Sequence, residues 1–238
     1  MKPGRIMRLA EAFAAQPSGP GPMRLCAATS KLVDAAGVGL SVGTSHGLLD
    51  TGLHSVCATD AGQDGEALQF DLGEGPSHTA HQTGWPVQAP DLECDGIWPA
   101  FSAAATRVGL RAVFAFPLRS GSTSQGALTL YQHVAGELTS DQYADALIAS
   151  RFALTLLTER QAGRPPDELD AVFSESLSNS IEVHQASGIV SVQLGIPVAD
   201  ALAVIRAHAF AEACSLAEVA KQVIDRRLKL GPLSDELP

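Results

Sequence analysis

The strongest constraint on this chain is a run of helix breaks and apolar stripes between residues 183 and 223. A helical stretch stops at Leu194-Gly195, where glycine can take the left-handed conformation that ends a helix. Pro197 suits the first turn of a new helix, because its missing N–H costs nothing there. Val198, Ala201, Leu202, Ile205 and Ala209 then recur at helical spacing as one stripe. Ser215 and Glu218 have the pattern of a capping box, each satisfying an orphan N–H at the start of a third helix. Leu216, Val219, Ala220, Val223, Ile224 and Leu228 give that helix its own stripe. Three short helices with one stripe each must bury one another, so the stretch predicts a small all-α bundle.

A chain of 238 residues suits two small domains better than one, and a hydrophobic content of 45% is ample for packed cores. No segment reads as a signal peptide or a membrane span. The charge-free stretch 183–199 contains His184, two glutamines, two glycines and a proline, which a bilayer would not accept cheaply. A cytoplasmic location without a membrane partner is expected. Cys26, Cys57, Cys94 and Cys214 are scattered, with no CxxC pair and no histidines at ligand spacing. Neither a disulfide framework nor a structural zinc site is expected, and the thiols read as small buried hydrophobes. The formal net charge of −10 argues against a general nucleic-acid binder, whose affinity depends on neutralising phosphates. Yet Lys221, Arg226, Arg227 and Lys229 crowd around Asp225. They form either a local basic patch or cations that complement the dipole of a helix's last turns.

Ahead of this region, Ile6, Leu9, Ala10 and Phe13 make a short amphipathic helix, which the Pro/Gly run 17–22 ends. A second helix is expected over 24–36, then strands at 37–42 and 53–58 separated by a turn-like 43–52. Residues 62–70 read as a helical turn, and 86–92 as an extended piece bracketed by prolines at a sheet edge. Residues 98–108 look helical, with Phe101, Ala105 and Val108 on one face. The clearest strands are 111–118 and 127–131, joined by the polar loop 120–126. Thr139 and Gln142 cap a helix running to about Gln161. Its stripes are Tyr143, Leu147, Leu154 and Leu157, and, displaced from them, Ile148, Phe152 and Leu156. One face can lie on the sheet and the other on a partner chain. Gly163–Pro166 interrupts, and a long helix restarts near Asp167 with stripes Leu169, Phe173, Leu177, Ile181 and Ala186, Val190, Leu194. The first stripe either pairs with its copy in a homodimer or is satisfied within one chain.

Gln185-Ala-Ser-Gly188, Leu194-Gly195-Ile-Pro197, Ala201-Leu202, Ile205-Arg206-Ala-His-Ala209 and Leu216-Ala-Glu-Val219-Ala220 together resemble the ANTAR family of RNA-binding antitermination domains. One position departs: Ser187 stands where the family usually has lysine, removing a cation. Leu40-Ser-Val42, Gly73-Glu-Gly-Pro76, Val87 to Leu92 and the pair of strands 111–118 and 126–131 resemble a GAF domain in their order. The chain is thus similar to a two-domain GAF–ANTAR bacterial antitermination regulator of the actinobacterial type. The implied fold class is α+β: a GAF-like mixed or antiparallel sheet with flanking helices, then an all-α three-helix ANTAR bundle. The expected divisions are 1–22, an N-terminal helix and Pro/Gly linker; 23–162, the sensor; and 163–238, the output domain.

The resemblance implies a homodimer whose output domains bind paired hairpins of nascent mRNA and prevent termination. The GAF half would sense a small ligand of unspecified chemistry or serve dimerisation. By family position, the RNA-facing residues are Gln185, Ser187 and Gly188 at a small-residue turn and Arg206 on the next helix, with Lys221, Arg226 and Arg227 on phosphates. The alternative is an output domain that acts by protein contact. His46, His54, His78, His81 and His133 are either pocket-lining groups, for a ligand or a cofactor such as haem, or ordinary hydrogen-bonded residues. His78 and His81 are three apart, a usable metal half-site only on a helix long enough to hold it. No nucleophile–base–orienter set appears, so no enzyme, metal or cofactor is expected.

Overall fold

The computed structural model describes residues 4–46, 49–121, 123–161 and 169–231. They divide into two compact units, residues 1–44 with 52–173 and residues 45–51 with 174–238. In the first unit, which holds all of β1 and β2 but their ends at 45–51, α1 (Arg5–Ala14) and α2 (Gly21–Val33) precede β1 (Gly37–His46) and β2 (Leu49–Asp60). Next come α3 (Ala61–Leu72), α4 (Pro76–Thr83), β3 (Val87–Ala89) and α5 (Pro99–Arg107). β4 (Ala112–Ser120), β5 (Thr123–Gln132) and α6 (Ser140–Gln161) complete it. The strands form one sheet in the order β2-β1-β5-β4-β3, and β1–β5, β4–β5 and β3–β4 pair antiparallel.

The proline-bracketed β3 lies at an edge, as its sequence predicts. The expected loops at 43–52 and 120–126 are mostly strand. β1 runs to His46 and β2 starts at Leu49, while Arg119 pairs with Ser124 and Ser120 with Thr123. The ladder uses backbone groups that polar residues carry as well as apolar ones. In place of the expected helical turn, α3 is twelve residues long. Its buried positions, Gly62, Gly65, Glu66 and Gln69, keep helical spacing in residues that no apolar pattern reveals.

One sheet face is apolar. Val38, Leu40, Phe114, Phe116, Leu118, Leu128 and Leu130 pack with Leu25 and Val33 of α2 and with Ala146, Ala149, Ala153 and Leu157 of α6. The seam of α6 is thus mostly alanine, which lets the helix lie close to the sheet. Of the larger residues expected there, Leu157 is buried and the others flank the seam, partly buried. The second stripe is partly covered within the chain itself. Phe152 meets Phe13 of α1 edge-on, with ring centroids 5.4 Å apart, and Leu156 lies against Gly21 of α2. Arg5 and Arg8 fasten α1 to Asp145 at 3.0 and 3.1 Å, so the N-terminal helix packs within the sheet unit. The Thr139–Gln142 capping box is present: Gln142 Oε1 accepts from the Thr139 N–H at 2.9 Å, and Thr139 Oγ1 from the Gln142 N–H at 3.2 Å.

The other face carries α3, α4 and α5. Val113 and Tyr131 pack there with Leu92, Trp98, Phe101, Ala105 and Leu110. Val108, expected on the Phe101 face, is exposed because α5 ends at Arg107. β1 presents glycines to α3: a Cβ on Gly37 would fall 2.2 Å from the Gly62 nitrogen, so the two backbones touch.

The second unit holds the end of α7 (Leu169–Leu194), α8 (Val198–Ala211) and α9 (Leu216–Ile224). Gly195 takes a φ of +67°, and α7 and α8 meet at 105° across it. Pro197 caps α8 from one position outside, not from within its first turn. The buried faces are Val183, Ala186, Ser187 and Val190; Ala201, Val204, Ile205 and Ala209; and Leu216, Val219, Ala220 and Val223. Val204 therefore joins the core while Val198 and Leu202 of the expected stripe are only partly buried. The predicted capping box is made: Ser215 Oγ accepts the Glu218 N–H at 3.2 Å and Glu218 Oε2 the Ser215 N–H at 3.0 Å. In the stripe Leu169, Phe173, Leu177, Ile181 only the last is a described side chain, and it is exposed. The Gly163–Pro166 break and the 162/163 division lie outside the described residues. Among the described residues, no single helix is long and apolar enough to cross a membrane.

Candidate nucleic-acid interface

Next to its buried face, α7 presents Gln185, Gly188, Ile189, Val192 and Gln193, spaced i, i+3, i+4, i+7, i+8 along one side of the helix. These residues line an open groove of about 780 Å³ whose other wall is Arg226 and Lys229. The cations reach it because α9 stops at Ile224. Arg226 then takes a left-handed φ of +58°, and the N–H groups of Arg227 and Leu228 both return to the Gln222 carbonyl, at 2.9 and 3.1 Å. That turn brings residues some 40 positions apart in sequence to one groove: an apolar floor, two amides and two cations.

Of the residues singled out from sequence, Gln185, Gly188 and Arg226 line this groove. Ser187 does not. No turn exists at 185–188, because α7 continues through it, and Ser187 is 1% exposed on the adjacent face. Its hydroxyl donates to the Val183 carbonyl at 2.8 Å, a bond inside its own helix. Gly188 is not a close-packing glycine either: a Cβ there would meet nothing within 4 Å. Lys221 and Arg227 line a separate depression of about 400 Å³ together with Cys214, Glu218, Gln222 and Asp225. Its charge is mixed, with Arg227 3.8 Å from Asp225. Arg206 is partly buried on α8 and borders neither hollow. Arg226, Arg227 and Lys229 lie beyond α9, so of the four cations only Lys221 is in its last turn. Sequence reasoning missed Ile189, Val192 and Gln193, whose signal was the helical spacing from Gln185. It noted Lys229 in the basic run without placing it on the interface.

Four histidines of the sheet unit have described side chains. His54 is buried against the Phe70 ring at 5.3 Å. His78 Nε2 bonds the Gln69 carbonyl oxygen at 3.0 Å, His81 Nδ1 the Ser124 hydroxyl at 3.2 Å, and His133 Nδ1 the Gly109 carbonyl oxygen at 2.9 Å. His46 has no described side chain. Among the described residues no group of three or more His, Cys, Asp or Glu is arranged to hold a metal. No disulfide is formed among the described residues. Cys26 and Cys57 are buried as expected, whereas Cys94 is exposed, beside Asp91 at 3.5 Å.

No protein-family model matches the chain, and no curated protein matches it. Among solved structures it is similar to the GAF domain of a phosphoenolpyruvate-protein phosphotransferase from Coxiella burnetii. That likeness has 11% identity and a TM-score of 0.49 over 66% of this chain and 93% of that one. A GAF domain from an Acinetobacter phosphoenolpyruvate-protein phosphotransferase is similar at 8% identity and TM-score 0.49, over 68% and 96%. Free methionine-R-sulfoxide reductase from Neisseria meningitidis, in complex with its substrate, is similar at 14% identity and TM-score 0.48, over 66% and 89%. No site residue is carried over from likenesses this slight.

Proposed function

We propose that this chain is a cytoplasmic, homodimeric regulator whose helical unit binds hairpins of nascent mRNA and so prevents transcription termination. The sheet unit acts as a GAF-like sensor of a small ligand or as a dimerisation module, and no reaction or cofactor is assigned to it. The groove between α7 and the turn after α9 carries this reading. An apolar floor of half-buried Ile189 and exposed Val192 can take the face of an unpaired base, while the Gln185 and Gln193 amides can address its edge. Arg226 and Lys229 supply local cations for the backbone on a chain whose total charge is −10. Two copies would offer two grooves to paired hairpins.

The test is binding of a two-hairpin RNA and a loop-scrambled control across a salt series, by full-length protein of measured oligomeric state. Preferential binding of the first RNA, with a salt slope that falls in Arg226→Ala, is expected. Equal weak binding to both would remove RNA recognition. A second reading, that the output acts by protein contact, is favoured by Val192 and Phe210, which are 85% and 59% exposed. Under that reading neither RNA binds and Val192→Asp abolishes capture of a partner.

A further inference from the structure

The sheet face under α3 and α4 holds a connected run of buried polar side chains that RNA recognition does not use. Tyr131 of β5 donates its hydroxyl to Glu66 Oε1 on α3 at 2.7 Å, and its oxygen accepts from Gln69 Nε2 at 2.7 Å. Gln69 Oε1 then accepts the backbone N–H of Ser77, in the first turn of α4, at 2.7 Å. Glu66 is 4% exposed, and Gln69 and Tyr131 are as fully enclosed. Three glycines make the room for these three side chains. A Cβ on Gly39 would fall 2.3 Å from the Glu66 carboxyl group, one on Gly65 2.1 Å from the Tyr131 ring, and one on Gly75 2.5 Å from Gln69 Oε1. The arrangement is therefore built into β1, α3 and the start of α4.

The environment of Glu66 favours a neutral acid. The Glu66 charge in turn acts on two titratable groups of neighbouring elements, Tyr131 on β5 and Cys57 on β2, both acids that burial pushes up. Ser41 of β1 and Thr129 of β5 bring only hydroxyls to it. Burial pushes the Glu66 carboxyl up to about 7, against the pull of the Tyr131, Ser41 and Thr129 hydroxyls.

We propose that Glu66 is a proton-operated latch: protonated, it holds α3 against β1 and β5, and on losing the proton it puts an unpaired charge into that contact and releases the helix. A carboxylic acid that ionises in a dry site leaves a carboxylate that must find water, and the water-accessible route is for α3 to lift. The sheet unit would then report proton concentration near neutrality.

The test uses the full-length protein, with carboxyl-carbon NMR of Glu66 and amide hydrogen exchange of α3 at pH 5.5 and 8.5, corrected for the intrinsic chemical rate. The carboxyl should titrate near 7, and exchange over residues 61–72 should speed up by roughly tenfold or more in the wild type. In Glu66→Gln, which keeps the shape but cannot ionise, it should not. Tyr131→Phe removes a donor to the charged form and should move the midpoint upward. A midpoint in the ordinary glutamate range, an unmoved midpoint in Tyr131→Phe, or the same exchange response in Glu66→Gln would each overturn the latch. All three readouts lie in the sheet unit, so they stand or fall independently of RNA binding.

Discussion

The two units put their charged chemistry in opposite places. In the sheet unit a carboxyl group lies buried among uncharged donors, and glycines are spent to make room for it. In the helical unit the glycine at the same kind of position, Gly188, makes room for nothing in its own fold and leaves a groove open to solvent beside two cations. The difference teaches what to expect of each. A buried ionisable group couples protonation to folding, whereas exposed cations beside an open groove couple to whatever anion arrives.

The same glycine-to-alanine change should break that comparison open. Gly65→Ala forces a methyl into the Tyr131 ring, and the urea midpoint should fall by the equivalent of about 3 kcal/mol or more. Almost as large is the pH effect. The folded-state pKa of Glu66 is raised above its unfolded value, so the stability it gives is complete below about 4.5 and is lost as pH rises through about 7. Chemical denaturation at pH 5 and pH 8.5 should show a loss of about 3 kcal/mol in the wild type. Glu66→Gln should be nearly flat and the more stable protein at the higher pH. Asp145→Ala should cost about 1–2 kcal/mol through undocking of α1, a modest figure because both arginines are more than a third exposed. On the helical unit, Arg226→Ala should leave stability alone and lower the slope of log affinity against log salt by about one. Arg227→Ala, already paired with Asp225, should lower it less. Gly188→Ala sits at the small end: thermal melting should show a gain of roughly 0.5–1 kcal/mol, because the methyl meets open space inside a helix.

Local signals were legible and distant ones were not. Both capping boxes, at Thr139 and Ser215, were read correctly because each is closed within four residues by its own side chains. The stop at Gly195 and the edge position of Val87–Ala89 were legible for the same reason. The α6 stripe was legible only in part: Leu157 is buried and Tyr143, Leu147 and Leu154 pack against the core, but the fully buried seam is completed by Ala146, Ala149 and Ala153, which mark no stripe in a sequence. Ser187 was placed at an interface by family position; its burial depended on how α7 rotates in the helical unit, which residue type does not disclose.

The sequence by itself determined the capping boxes, the stop at Gly195, the central strands and the proline-bracketed edge, because those depend on propensity, periodicity and caps a few residues wide. Tertiary structure alone decided that Glu66 meets Tyr131, 65 residues away, and that Arg226 faces Gln185 across a groove. Such meetings are set by where packed elements happen to cross. No pattern within either segment carries the position of the other.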